Sequence, residues 1–165
     1  MLTAFLLTAQ DEEPPKLHVR QIQHNGGVNR IRAMPQQPGV VATWADNGQV
    51  SVWDLTQHYA ELEQEKEPKK MKGGPQKLNA RQVFAGHSHE GFAMDWSPCV
   101  AGRFATGDCR SRLHIWEPQQ GGKWAVGNSQ CTGHTDSVED IQWSPTEEVR
   151  RSEPVQPVPG SATRP

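Results

Sequence analysis

The chain has 165 residues, of which 34% are hydrophobic, and it carries a formal net charge of −2 at pH 7. This charge gives no general attraction for nucleic acid or membrane surfaces, and no apolar run approaches the roughly 18 residues of a membrane span. The three cysteines form no Cys-x-x-Cys pair, which argues against a disulfide framework and a zinc site and is typical of a reducing compartment. The 13 prolines and 15 glycines predict many turns between short strands.

Residues 1–16 open with the short apolar stretch MLTAFLLTAQ. No positively charged region precedes this stretch, so the pattern does not favour a signal peptide. We expect residues 1–16 to form either a β-strand that belongs to a structural unit preceding the first repeat or a frayed start.

The most informative pattern occurs in residues 17–56 and again in residues 81–118. Each segment contains an alternating apolar strand, VSVW or LHIW, which is typical of a strand with one buried side. The first of these strands follows the tight-turn sequence Asp46-Asn47-Gly48. In both segments a histidine precedes the tryptophan of this strand by the same number of residues: His24 precedes Trp53, and His87 precedes Trp116.

Residues 119–146 begin the same pattern a third time, with Gly133-His134 and then Trp143-Ser144-Pro145. A Gly-His pair, a strand ending in Trp-Ser-Pro and a strand ending in Trp-Asp are together the signature of a WD repeat. The sequence therefore resembles an all-β WD-repeat β-propeller, partial, with about two to three of about seven blades. In this arrangement residues 1–16 supply the last strand of the preceding blade.

The histidines and tryptophans of the pattern have structural roles in the proteins that the chain resembles. The Gly-His histidine is usually held by hydrogen bonds to a turn aspartate and to the strand tryptophan. The resemblance implies that His87 and His134 are buried structural residues rather than metal ligands or bases, and that Trp53 and Trp116 are the strand tryptophans.

The turn aspartate itself departs from this pattern. Its usual position holds Asn47 in the first repeat and Arg110 in the second. Asp46 and Asp108 lie close by in the sequence, and we expect them to take its place.

Residues 57–80 form a charged insertion between the first two repeats. Residues 59–66 are expected to form about two turns of helix, and the chain then continues as a loop with Pro68 and Gly73-Gly74-Pro75 as breakers. Two interpretations of its basic cluster stay open: a solvated inter-blade loop, which we favour, and a nuclear-localisation or nucleic-acid patch. The cluster consists of Lys66, Lys69, Lys70, Lys72 and Lys77.

Residues 147–165 contain four prolines and no strand pattern, so their composition predicts a disordered tail. The loss of the pattern in mid-repeat is expected of a truncated or alternatively spliced product. Blades bury their faces against their neighbours, so we expect a chain of two blades and a fraction to fold poorly alone.

Two segments narrow the resemblance: QHNGGVNRIRAMPQQPGVVAT and GHSHEGFAMDWSP are similar to the histone-binding subfamily of WD-repeat proteins, the retinoblastoma-binding histone chaperones. The resemblance implies a non-catalytic interaction scaffold of the nucleus and nucleolus, with a role in ribosome biogenesis. Its implied partners are basic segments of histones or ribosomal proteins. It implies no cofactor, no metal, no membrane association and no direct binding of nucleic acid.

Family members bind basic tails where the innermost strands of the blades begin. By this resemblance Asn29 is a polar contact, Glu90 and Phe92 are an acid and an aromatic lining the same face, and Glu139 is an acid that receives a basic side chain. Carboxylates pair with Lys or Arg by charge-assisted hydrogen bonds, and an aromatic ring can take a cation on its face. Gly27 stands where the chaperones often carry an acid, so one contact is expected to be missing.

Two other classes of function compete with the scaffold. A substrate receptor of a ubiquitin ligase would be supported by an arginine two residues after a Trp-Asp pair. That position holds Thr56 after Trp53-Asp54 and Gln119 after Trp116-Glu117. The sequence has no nucleophile elbow, phosphate loop or metal-ligand spacing, so catalysis is not predicted. A truncated product without function is a further alternative.

Overall fold

The computed structural model of the chain describes residues 1–10, 13–65, 74–127 and 133–146, and it describes the side chains of residues 1–3 and from residue 16 onward within those ranges. The described part consists of β-strands in antiparallel sheets and a single α-helix, which confirms the prediction of an all-β, partial propeller. The elements are β1 Leu2–Gln10, β2 Glu13–Ile22, β3 Val28–Met34, β4 Gln37–Ala45, β5 Val50–Asp54, α1 Thr56–Glu63, β6 Gln82–Phe84, β7 Ala93–Trp96, β8 Phe104–Gly107, β9 Leu113–Gln119 and β10 Lys123–Val126.

Two four-stranded sheets form the centre of the molecule. Strands β3, β4, β5 and β6 make one sheet, here called blade 1, and β7, β8, β9 and β10 make the other, called blade 2. The repeated sequence produces a repeated register, since Thr43 pairs with Ser51 in blade 1 and Thr106 pairs with His114 in blade 2. Each blade therefore places the threonine of its second strand beside the third strand, which also contains the tryptophan of the repeat.

Strands β1 and β2 form a two-stranded antiparallel hairpin before blade 1, with Leu2 opposite Ile22. Residues 1–16 were predicted to hold one strand, whereas they hold β1 and the beginning of β2. The difference arises because β2 continues to Ile22, which is fully buried in a small core with Leu2, Val41, Trp53 and Leu55. The hairpin is thereby packed against blade 1.

The insertion between β5 and β6 begins with helix α1 over Thr56–Glu63, three residues earlier than the predicted start at residue 59. Leu62, in the last turn of this helix, is fully buried. Beyond the helix, the backbone N–H of Gln76 donates to the carbonyl of Gln21 in β2 at 2.7 Å, and the Gln76 carbonyl accepts from the N–H of Gln23, just after β2, at 2.8 Å. Lys77 is exposed, and the other four lysines of the basic cluster lie outside the described residues.

The main core lies between the two blades and is rich in aromatic rings. Phe104 is fully buried, and its ring lies 4.4 Å from that of Trp116 and 4.2 Å from that of Trp96. Trp44 of blade 1 is also fully buried in this core. Aromatic side chains bury large areas and gain additional energy from ring contacts, so this core is the principal hydrophobic stabilisation of the pair of blades.

Directional hydrogen bonds also join each repeat to the one before it. Trp96 Nε1 donates to the carbonyl of Arg32 at 3.0 Å, and Trp143 Nε1 donates to the carbonyl of Asp95 at the same distance. The third repeat thus docks on blade 2 as blade 2 docks on blade 1, although residues 133–146 contain no assigned strand. The predicted disordered tail, 147–165, lies outside the described residues.

The side chain of Gln82 connects the outermost strands of the two blades. Its Oε1 accepts a hydrogen bond from the backbone N–H of Trp124 at 2.8 Å, and its Nε2 donates to the Trp124 carbonyl at 2.9 Å. The amide therefore replaces the partner strand that β10 lacks at this point.

In the part of the chain that the structure describes, no helix has the length and apolar character to cross a membrane.

We predict that Phe104→Ala lowers the free energy of unfolding by about 3–5 kcal/mol, because it removes a fully buried ring and leaves a cavity between the blades. Urea unfolding followed by tryptophan fluorescence measures this change. Val83→Ala is the matched control, since Val83 is 54% exposed on an outermost strand. Equal losses in the two variants would show that the interface between the blades is not the stabilising core.

Candidate peptide-binding face

Asn29, Phe92 and Glu139 occupy the same position in the three successive repeats. Asn29 directly precedes Arg30, which pairs with Trp44, and Phe92 directly precedes Ala93, which pairs with Gly107. In the third repeat, Glu139 precedes Trp143 by the same four residues that separate Phe92 from Trp96. The three side chains therefore stand where the innermost strands begin, which is the location that the sequence predicted for a peptide-binding face.

Asn29 and Glu90 are brought together across the boundary between the blades. The Asn29 Nδ2 group donates to Glu90 Oε2 at 3.0 Å and lies 3.4 Å from the carbonyl of Gly91. Asn29 belongs to β3 of blade 1, whereas Glu90 lies in the loop that leads to β7 of blade 2. Glu90 is exposed, so the hydrogen bond orients a carboxylate that still faces solvent, and Phe92 is half-buried two residues further along.

Glu139 is placed by separate contacts of its neighbour. The backbone N–H of Val138 donates to the Asp108 carbonyl at 3.1 Å, and the Val138 side chain packs against the backbone of Gly107. A Cβ at residue 107 would lie 2.7 Å from Val138 Cγ1, so only glycine allows this close approach. Glu139 itself is exposed. It therefore supplies a second carboxylate that is accessible to solvent.

Asp46 is a candidate site residue that the sequence did not identify. Gly27 of blade 1 corresponds to Glu90 of blade 2, since Asp46 N donates to the Gly27 carbonyl at 2.9 Å and Cys109 N donates to the Glu90 carbonyl at 3.0 Å. The Asp46 carboxylate accepts a hydrogen bond from Gly27 N at 3.0 Å, and a Cβ at Gly27 would lie 2.8 Å from Asp46 Oδ2. The carboxylate that is missing at position 27 is thus supplied by the exposed Asp46 of the adjacent turn.

Behind this face, a chain of four hydrogen-bonded side chains connects the parts of blade 2. Trp116 Nε1 donates to the Thr106 hydroxyl at 3.0 Å, the hydroxyl lies 2.9 Å from His87 Nε2, and His87 Nδ1 lies 3.0 Å from Asp108 Oδ2. A carboxylate only accepts, so the His87 Nδ1 that faces Asp108 carries a proton. Burial keeps the imidazole neutral at neutral pH by lowering its pKa to about 4, so Nε2 accepts the hydrogen bond from the Thr106 hydroxyl. Asp108 fills the role of the turn aspartate, because its other oxygen accepts the backbone N–H groups of Arg110 and Arg112.

The corresponding chain in blade 1 has a different end. Trp53 Nε1 donates to the Thr43 hydroxyl at 2.9 Å, and that hydroxyl lies 3.0 Å from His24 Nε2. His24 Nδ1, however, faces the carbonyl of Gly26 at 3.1 Å. The expectation that Asp46 would serve as the turn aspartate is therefore wrong. Asp46 instead binds Gly27 N, and a backbone carbonyl takes its place.

His134, which the sequence pattern predicted to be a buried structural histidine, is exposed. The corresponding His87 of blade 2 is buried with hydrogen bonds to Thr106 and Asp108, which belong to β8 and to the turn after it. The segment of the third repeat that corresponds to β8 and this turn lies outside the described residues.

The electrostatics of the chain in blade 2 follow from its burial. Both His87 and Asp108 have fully buried side chains. Burial lowers the pKa of His87 from 6.5 to about 4, with further lowering from His114 and Arg112, against the opposing effect of Asp108. Burial alone would raise the pKa of Asp108, but the hydrogen bonds from His87, Arg112 and Arg110 hold it below its usual value. His87 is thus neutral and Asp108 is charged at neutral pH.

Comparison with known proteins relates the chain to a family by sequence. The chain is 49% identical over 136 residues to the protein HEAT STRESS TOLERANT DWD 1 of Arabidopsis thaliana and 43% identical over 134 residues to the glutamate-rich WD repeat-containing protein 1 of Dictyostelium discoideum. It is 34% identical over 130 residues to the histone acetyltransferase type B subunit 2 of Aspergillus fumigatus. No protein-family model matches the chain.

The chain belongs to the WD-repeat proteins. The aligned segments cover 81%, 81% and 77% of the chain but only 29%, 26% and 27% of these three relatives. The chain thus spans less than a third of the length of the WD-repeat proteins it matches. The resemblance to the histone-binding subfamily that was drawn from the Val-Asn-Arg and Glu-Gly-Phe segments is confirmed.

Among the described residues of this WD-repeat chain, no group of three or more histidine, cysteine or acidic side chains is arranged to hold a metal ion.

We predict that this WD-repeat chain loses stability in mild acid because of His87. Its folded-state pKa lies below its unfolded value of 6.5, so the unfolded state binds the extra proton and the stabilisation is lost as pH falls from 6.5 toward 4. Between about pH 7 and about pH 4.5 the free energy of unfolding should fall by about 2 kcal/mol through this group. Urea titrations at the two pH values measure the difference.

Two variants isolate the contribution of His87. His87→Gln should be less stable at neutral pH and should lose less stability on acidification. His89→Gln is the matched control, because it removes an exposed histidine outside the hydrogen-bond chain and should keep the wild-type pH dependence. If His87→Gln keeps the full pH dependence, the acid sensitivity arises elsewhere.

Proposed function

We propose that the chain contributes a binding surface for basic peptide segments to a non-catalytic WD-repeat scaffold. The observation that carries the proposal is the hydrogen bond from Asn29 Nδ2 to Glu90 Oε2 at 3.0 Å. It fixes an exposed carboxylate between two blades, at the place where their innermost strands begin. A carboxylate that is held in position loses less conformational entropy when it binds a cation, so its affinity is higher than that of a mobile surface acid.

The neighbouring side chains suit a cationic ligand. Asp46 and Glu139 add exposed carboxylates, and the half-buried ring of Phe92 offers an apolar surface and a face for a cation. Lysine and arginine side chains form charge-assisted hydrogen bonds with carboxylates, and their methylene stems cover apolar surface. We infer that an extended segment with several basic residues fits this combination better than a neutral or acidic one.

Histones and ribosomal proteins are the basic partners that we propose, with a location in the nucleus and nucleolus and a role in ribosome biogenesis. Support for histones comes from the relatives named histone acetyltransferase type B subunit 2, to which the chain is 34% and 32% identical. Support for the nucleolar role comes from the sequence resemblance alone. A role as a ubiquitin-ligase substrate receptor has no specific contact in its favour.

Titration of the full chain with a lysine- and arginine-rich peptide of histone-tail composition tests the proposal. Glu90→Gln should weaken binding about five- to tenfold, because it removes the charge and keeps an oxygen that can accept from Asn29. Glu139→Gln should weaken binding less, because no described hydrogen bond orients its carboxylate. Raising the ionic strength from about 0.05 M to about 0.3 M should weaken wild-type binding further, since salt screens exposed charges.

Glu63→Gln is the matched control, since Glu63 is an exposed glutamate at the end of α1. Its affinity for the basic peptide should equal that of the wild type. A glutamate-rich peptide of equal length should not bind. If a folded double variant that combines Glu90→Gln with Glu139→Gln binds as tightly as the wild type, the peptide occupies a different surface.

A further inference from the structure

A second charged feature lies at the outer edge of the two blades, away from the starts of the innermost strands. Residues just before β6 and at the turn between β9 and β10 line an open cavity of about 470 Å³. Its lining residues are Ala80, Arg81, Gly121, Gly122 and Lys123, and we call it the outer notch. We propose that the outer notch binds a phosphate group, free or as a monoester, through Arg81 and Lys123.

The two cations are held in the notch by the fold. Lys123 Nζ donates to the backbone carbonyl of Arg81 at 2.7 Å, which uses one of its three N–H groups and keeps the ammonium beside the arginine. The Arg81 guanidinium is anchored through Nη2 to the carboxylate of Asp54. Its side chain is still 37% exposed, so donors of its fork face the cavity.

The glycines of the turn leave the space that an anion needs. Gly121 and Gly122 both adopt positive φ values, 76° and 68°, which side-chain-bearing residues rarely do. A Cβ at Gly122 would lie 3.2 Å from Arg81 Nη1, and nothing lies within 4 Å of a Cβ at Gly121. Arg81 Nη1 therefore points toward an open turn that no side chain fills.

The walls of the notch are rigid relative to one another. Gln82 directly follows Arg81, and Trp124 directly follows Lys123, and the Gln82 amide is hydrogen-bonded to both backbone groups of Trp124. This pair of hydrogen bonds fixes the spacing of the two cation-bearing residues although they belong to different blades. Such preorganisation raises affinity because little conformational freedom remains to be lost on binding.

The charge of the notch suits a dianion. Two cations and the single carboxylate of Asp54 leave an excess positive charge, and Asp54 is already satisfied in part by the backbone N–H of Thr56 at 3.0 Å. A phosphate monoester carries about −1.5 to −2 charges at neutral pH and three acceptor oxygens, which match an arginine fork and an ammonium. A nucleic-acid backbone is favoured less, because the two cations converge on one cavity instead of following a line of phosphates.

Isothermal titration of the full chain with inorganic phosphate and with O-phosphoserine, at constant ionic strength, tests the proposal. Arg81→Gln should weaken binding of both at least about tenfold, and Lys123→Gln about fivefold. Asp54→Asn should strengthen binding about threefold, because it releases Arg81 from a competing charge and keeps an acceptor for Thr56. Tighter binding of O-phosphoserine than of phosphate would identify a phosphorylated side chain as the source, and equal affinity would identify free phosphate.

Lys77→Gln is the matched control, because Lys77 is an exposed lysine that follows Gln76 and does not line the notch. It removes the same charge as Lys123→Gln and should leave the affinity unchanged. The proposal is overturned if neither phosphate compound binds saturably, if Lys77→Gln weakens binding as much as Lys123→Gln, or if Asp54→Asn weakens it. Binding of an RNA oligonucleotide that depends on Lys123, without binding of either phosphate compound, would also overturn it.

Discussion

The hydrogen-bond chain from Trp116 through Thr106 and His87 to Asp108 is the interaction on which blade 2 depends. It connects the loop before β7 with β8, with the following turn and with β9, so one set of side chains fixes four segments of the backbone. The His87 ring also contacts Trp44 of blade 1, with ring centroids 4.1 Å apart. The polar chain therefore orients the apolar interface between the blades. It stabilises the fold because all of its buried polar groups are paired.

The incomplete version in blade 1 has consequences for the surface. His24 uses the carbonyl of Gly26, which leaves Asp46 to bind Gly27 N at the start of the innermost strand. The counterpart of Asp108 in blade 1 is Ala45, and Asp46 corresponds to Cys109, so blade 1 has no carboxylate at the position that closes the chain in blade 2. The next residue, Asp46, instead presents its carboxylate at the candidate face.

The sequence predicted the features that repeat and missed those that depend on contacts between distant segments. The alternating strands and the repeated spacing of His87 and Trp116 could be predicted, because periodicity and repeated spacing are local properties. The Thr106 hydroxyl that links these two side chains was not predicted. The Asn29–Glu90 hydrogen bond could not, since its partners lie 61 residues apart and meet only after two blades have packed. The burial of Ile22 is another contact that could not be predicted. With it, β2 continues past the expected boundary at residue 16. His134 shows the limit of a motif, because the Gly-His pair alone predicted a buried histidine and His134 is exposed.

Determining the tautomer of His87 tests this hydrogen-bond chain most directly. Long-range proton–nitrogen correlation spectra of the chain at neutral pH distinguish a protonated Nδ1 from a protonated Nε2 in each histidine. We predict that His87 is neutral with its proton on Nδ1, because Nδ1 donates to Asp108 and burial disfavours a second proton on Nε2, which then accepts from Thr106. A His87 that is protonated on Nε2, or on both nitrogens, at neutral pH would contradict the chain and the blade geometry derived from it.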